Sequence, residues 1–108
     1  MIQAFLTAAA LTIATLTSAV QSDTVNNALC ELTQLDSASS VEDFRCDFTQ
    51  LQGNVYISGS RRKFAFPAEE QGKTYQRQNR AEFVRFIRQG QYELKIYQSG
   101  VKPIKPDP

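Results

Sequence analysis

From Phe44 to Tyr97 apolar side chains recur at every second position, and a turn former interrupts them about every ten residues. Phe44, Cys46 and Phe48 alternate with Arg45, Asp47 and Thr49, and Val55 and Ile57 flank Tyr56. Phe64 and Phe66 make a short run closed by Pro67, and Thr74–Tyr75–Gln76 makes another. Gln52–Gly53, Ser58–Gly59–Ser60 and Glu70–Gln71–Gly72 supply the breaks. The clearest hairpin comes last: Phe83–Ile87 and Tyr92–Tyr97 flank Gln89–Gly90, where glycine can supply the positive φ of a two-residue turn. A period of two is the period of a strand with one face buried. The pattern predicts a mainly β domain, an antiparallel five- to six-stranded meander or small barrel.

Ahead of Phe44 the spacing changes. Val25, Leu29, Leu32 and Leu35 recur at three- and four-residue intervals, which predicts one short α-helix preceding the sheet. Ser22 or Asp23 would cap it, the acid also suiting the positive end of the helix dipole. Asp36–Ser40 then reads as a polar connector. Residues 23–98 are expected to form a single domain, and residues 99–108, with Pro103, Pro106 and Pro108, a flexible extended tail.

Residues 1–22 carry no charged side chain and hold the apolar run Ala4–Leu16, followed by the small residues Thr17–Ser18–Ala19. This is the layout of a signal peptide, with cuts available after Ala19 or Ser22. No Lys or Arg precedes the run, so a retained transmembrane anchor is the other reading. Thr7, Thr12, Thr15 and Thr17 lower its hydropathy, and its length is at the short end of the roughly 17 to 25 residues a span requires. Cleavage would leave about 86 to 89 residues, with no stable membrane span and a periplasmic or secreted location. A core of that size is marginal and gains from a covalent staple. Cys30 and Cys46 are the chain's two cysteines, and in an exported protein an even count points to a disulfide rather than to two buried thiols.

Charge is unevenly spread. Between Asp23 and Asp47 six acids face one base, Arg45; from Phe48 onward eleven bases face five acids. Such asymmetry implies either an anionic partner or pairing between the two halves. Arg61–Arg62–Lys63 is the densest basic cluster and the candidate contact for an envelope polyanion or a protein partner. Arg77, Arg80, Arg85 and Arg88 lie on neighbouring segments and can extend it. A solvated strand face, with cross-strand pairs such as Arg85 or Arg88 with Glu93, explains the same residues without a ligand. Nucleic acid is not expected for an exported chain. The aromatic residues, Tyr56 and Tyr75 among them, read first as core and cross-strand packing.

The chain has no His, which removes the commonest general base and the usual partner of a nucleophilic Ser or Cys. With both cysteines assigned, neither a metal site nor a cofactor is implied, and Gly53, Gly59, Gly72 and Gly90 are accounted for by turns. A hydrolase relying on carboxylates alone is the remaining enzymatic reading, and it requires two acids converging in a cleft.

The stretch Cys46–Asp47–Phe48–Thr49–Gln50–Leu51–Gln52–Gly53–Asn54–Val55–Tyr56–Ile57 resembles the opening of small exported cyanobacterial proteins of unknown function. There a Cys-x-Phe-Thr-Gln-x-Gln-Gly-Asn-Val-Tyr-Ile type strand pair leads into a β-meander. The resemblance extends loosely through Tyr75–Arg80 to Tyr97 and brings no activity with it. Ser58–Gly59, followed by Ser60–Arg61, is similar to a Ser-Gly-x-x-Tyr loop of the periplasmic inhibitors of c-type lysozyme, where it enters the enzyme's cleft. Here Arg62 replaces the aromatic, Phe64 lies beyond it, and Gly72–Lys73–Thr74 offers the second inhibitory element only in reverse order. The resulting expectation is a non-catalytic extracytoplasmic binding or envelope-associated domain. The alternative is an inhibitor-like protein using Ser58 and Gly59.

Overall fold

A computed structural model describes residues 22–36 and 40–104. Apart from Ser22, the expected signal peptide lies outside the described residues, as do residues 37–39 of the connector and 105–108 of the tail. No helix among the described residues is long and apolar enough to cross a membrane.

Seven antiparallel strands form one curled sheet: β1 (Asp23–Gln34), β2 (Ser40–Leu51), β3 (Asn54–Gly59), β4 (Lys63–Phe66), β5 (Gln76–Asn79), β6 (Val84–Arg88) and β7 (Tyr92–Tyr97). Their spatial order is β4-β3-β2-β1-β7-β6-β5. The chain therefore runs as two meanders, β1 to β4 and β5 to β7, joined where the first strand pairs with the last. Following the antiparallel pairs round the sheet, β4 and β5 point the same way. A parallel junction needs a crossover connection, so the curled sheet stops short of closing there and forms a half-barrel. The link holds a single 3₁₀ turn, Ala68–Glu70.

Three expectations need correction. The predicted α-helix over Asp23–Leu35 is instead β1, the central strand of the sheet. The described residues form seven strands rather than five or six. The last hairpin turns over three residues, since Arg88 pairs with Tyr92 and the Gln91 N–H donates to Arg88 O at 2.9 Å.

The helical spacing has a specific origin. Val25 pairs with Phe48 and Ala28 with Cys46, so three steps along β1 match two along β2. This β-bulge carries Asn27 at φ 60°, a left-handed conformation that asparagine tolerates better than most residues. Val25 and Ala28 thereby reach the same face. Beyond the bulge Ala28, Cys30 and Leu32 are buried at strict period two, while Leu29 pairs with Tyr97 on the opposite face. Cys30 and Cys46 are disulfide-bonded, their Cα atoms 6.0 Å apart. Cys46 lies opposite Ala28 and Cys30 opposite Phe44, so the bond runs diagonally between adjacent strands instead of tying a helix to a sheet. Such a bond is consistent with an oxidising, extracytoplasmic location.

The concave face holds the core. Phe48, Ile57, Phe66, Phe86, Leu94 and Ile96 are fully buried there. Phe66 of β4 stacks on Phe86 of β6 at 4.3 Å between centroids, across the unpaired gap. Tyr75 sits edge-on to Phe66 at 5.1 Å and donates its hydroxyl to Pro67 O at 2.8 Å. Arg88 closes one end of the gap: it lies over Phe66 at 5.1 Å and donates to Ala65 O at 3.1 Å. Between β2 and β3, Gln52 (φ 53°) and Gly53 (φ 85°) form a two-residue loop with both φ positive, as a type I′ hairpin turn demands.

Candidate functional site

The β3–β4 hairpin carries Ser58, Gly59, Arg61, Arg62 and Lys63, the main sequence-predicted contact residues. Ser58 and Gly59 end β3, Ser60, Arg61 and Arg62 make the turn, and Lys63 opens β4. The Gly59 N–H donates to Arg62 O at 2.8 Å and fixes the turn. Gly59 has a packing role as well. A Cβ at this position would approach Phe44 Cδ2 to 2.8 Å, so the aromatic ring of β2 occupies the space a side chain would need.

The three basic residues are not equivalent. Arg62 forms a forked pair with Glu42 of β2, Nη2 to Oε1 at 2.8 Å and Nε to the two carboxylate oxygens at 3.2 and 3.3 Å. That hydrogen bonding holds the Glu42 carboxyl below the usual carboxylate range and raises Arg62. Arg61 and Lys63 are exposed and form no ion pair among the described residues. The arginines proposed to extend the cluster have other partners. Arg77 donates to Gln50 Oε1 at 2.9 Å, Arg80 to Gln78 Oε1 at 3.4 Å and Arg88 to Ala65 O; Arg85 pairs with Glu93 at 3.4 Å.

Two cavities flank the hairpin. The smaller, about 210 Å³, is bounded by Phe44, Ser60, Arg61 and the Arg62–Glu42 pair. The larger, an open cleft of about 500 Å³, is lined by Asn26 and Asn27 of the bulge, by Arg45, Cys46 and Asp47 of β2, and by Ser58, Gly59 and Ser60. Its geometry is set from below. Arg45 Nη1 donates to Gly100 O at 2.7 Å and reaches Asn27 O at 3.5 Å, while the Asn27 N–H donates to Asp47 Oδ1 at 3.0 Å. The bulge therefore turns a flat strand pair into one wall of a polar cleft. A third cavity, about 340 Å³, opens between residues 80–83 and 98–103 and is walled on one side by the chain's own segment after β7.

That segment is tied down where it leaves the sheet. Lys102 Nζ bridges Glu31 Oε2 at 2.6 Å and Asp43 Oδ2 at 2.9 Å, and these two hydrogen bonds raise the Lys102 ammonium. Glu31 and Asp43 lie directly opposite each other on β1 and β2, so Lys102 offsets a like-charge cross-strand pair. Asp47 is the one carboxylate lining the 500 Å³ cleft, and among the described residues no three Cys, Asp or Glu side chains gather as a metal ion requires.

Sequence reasoning missed Asn26, Asn27, Arg45 and Asp47 as cleft residues and read Tyr56 with the other aromatics as core or cross-strand packing. Tyr56 is 47% exposed on the convex face. The Asn26–Asn27 pair, inside an otherwise apolar pattern, was the legible signal of a bulge, because asparagine favours left-handed backbone. No family model, no curated protein and no solved structure matches this chain.

Proposed function

We propose that this is a non-catalytic extracytoplasmic binding domain of the cell envelope, which presents the β3–β4 hairpin to an anionic ligand. One observation carries the reading: exposed Arg61 and Lys63 form no ion pair among the described residues, whereas Arg62 between them is paired with Glu42. Among the described residues four of the five ion pairs join the acidic first half to the basic second half, so internal pairing absorbs much of the charge asymmetry. Arg61 and Lys63, side by side on one hairpin, lie outside that pairing among the described residues, as does exposed Lys73 in the link after β4. A cleft with a single carboxylate favours binding over hydrolysis. The disulfide and the likeness over Cys46–Ile57 to small exported proteins support an envelope setting.

Retention of the folded domain on immobilised polyphosphate tests the reading. Binding is expected at low salt and should weaken steeply as the Debye length shrinks from about 30 Å at 0.01 M to about 10 Å at 0.1 M. The pair Arg61→Ala/Lys63→Ala should lose as much binding as the triple variant that adds Arg62→Ala. Retention unaffected by the pair would refute the hairpin as the contact.

Inhibition of c-type lysozyme is the second reading, favoured by the position of Ser58 and Gly59 on the rim of the open cleft. Undiminished lysozyme activity with micromolar domain present would remove it.

A further inference from the structure

The convex face of β2, β3 and β4 has a composition unlike the rest of the sheet. Two cross-strand rows run over it. Thr24, Thr49, Tyr56 and Ala65 are successive partners in one, and Asp47, Ser58 and Lys63 in the other. Tyr56 is the large side chain of the first row, its lateral neighbours Thr49 and Ala65 are small, and it is 47% exposed. Ser58 lies two residues along the same strand, about 7 Å away. Beyond it the 500 Å³ cleft brings in Asn26, and exposed Lys63 borders the row. β3 is paired on both sides, so no backbone edge is free here for strand addition by a peptide.

This combination has a chemical counterpart. An exposed aromatic face accepts a flat apolar surface, while hydroxyl, amide and carboxylate groups beside it both donate and accept hydrogen bonds. A pyranose ring presents both features, with C–H groups on one face and hydroxyls round its rim. Resting on the reading of the hairpin as anion-binding, we infer that the convex face of β2–β3–β4 binds an acidic glycan: one sugar stacks on Tyr56, hydroxyls of the next reach Ser58, Asp47 and Asn26, and a carboxylate meets Lys63. Charge complementarity selects an acidic over a neutral chain, since Lys63 ends the second row as an exposed cation that forms no ion pair among the described residues.

The experiment is titration calorimetry of the oxidised domain with oligogalacturonate, its methyl ester and polyphosphate of similar length. Oligogalacturonate should bind, and its affinity should fall about five- to tenfold in Tyr56→Ala and stay within about twofold in Tyr56→Phe, which keeps the ring. The methyl ester should bind more weakly than the acid. Tyr56→Phe should keep the parent's unfolding midpoint, and Tyr56→Ala, which loses cross-strand packing at a partly exposed site, should lower it slightly while the domain stays folded at the temperature of the titration. If polyphosphate and oligogalacturonate bind alike and Tyr56→Ala changes neither, the glycan inference fails while the anion-binding hairpin stands. Binding of acid and ester alike, lost in Tyr56→Ala but not in Arg61→Ala/Lys63→Ala, would retain the sugar and overturn the hairpin. No binding of either polymer overturns both, and tighter binding of a single-stranded oligonucleotide would replace the glycan by a base-stacking ligand.

Discussion

A methyl group on Gly59 would come within 2.8 Å of the Phe44 ring and 3.3 Å of Arg45 O. The ring is half-buried and has some freedom to move, but the backbone oxygen does not. Gly59→Ala should therefore destabilise the domain by about 1–2 kcal/mol through overpacking, read as a lower urea midpoint at unchanged slope. An unaltered midpoint would show that Gly59 is dictated by something other than Phe44. The two buried tyrosines give a second residue-scale expectation. Burial raises the Tyr75 and Tyr97 hydroxyls above the ordinary tyrosine value of 10.0. The folded state then holds these protons more tightly than the unfolded chain. Their stabilisation is complete below about pH 10 and is lost as pH climbs through the folded values. Lys102, also raised, acts in the same sense because its ion pairs vanish when the ammonium loses its proton. Thermal midpoints should be level from pH 8 to about 10 and fall beyond it, with a shallower fall in Tyr75→Phe. At pH 7 that variant should cost about 1 kcal/mol for the lost bond to Pro67 O.

At the scale of elements, β1 shows where sequence pattern misleads. Its apolar residues do fall three and four apart, but a bulge inserts a residue between Val25 and Ala28 and mimics a helical stripe. Period two returns after it, and Ala28–Cys30–Leu32 is a strand pattern that the wider window obscures. β2, β3 and β4 were legible because their hairpins close locally, through Gln52–Gly53 and Gly59, and turn chemistry is encoded in adjacent residues. The β1–β7 pairing was not, since strands at opposite ends of the chain carry no local mark of each other. The candidate site divides the same way: Arg61–Arg62–Lys63 stood out as a run, but only the folded hairpin shows that Glu42 forks with Arg62 and not with its neighbours. Asn27 tests the account of β1. Glycine tolerates φ 60°, so Asn27→Gly should leave stability nearly unchanged, whereas a β-branched residue there should cost about 1–2 kcal/mol. If Asn27→Val unfolds at the same denaturant concentration as the parent, the left-handed bulge is not what the protein adopts.

Across the whole molecule, support for the backbone falls off from β1 toward the two free edges. Residues 29–34 of β1 have β2 on one side and β7 on the other, and the Cys30–Cys46 bond lies within this band. β4 and β5 are short and each pairs with one neighbour; across the gap between them side chains bridge in place of a ladder. Local opening should be easiest where the fewest hydrogen bonds and buried contacts must break. Native-state hydrogen exchange should therefore find the slowest amides in Leu29–Gln34 and Leu94–Ile96, and faster exchange in Lys63–Phe66 and Gln76–Asn79. Reduction of the disulfide separates two contributions to this gradient. The bond closes a loop of sequence separation 16, and restraining a loop of that size in the unfolded chain is worth about 3 kcal/mol. The slowest amides exchange through global unfolding, so reduction should speed them about a hundredfold. Edge-strand amides open locally and should change little. The hierarchy would then compress from its slow end while keeping its order. Uniform acceleration of all strands would mean that the half-barrel opens only as one unit, with the Phe66–Phe86 stack and Arg88 binding the edges as firmly as a ladder would.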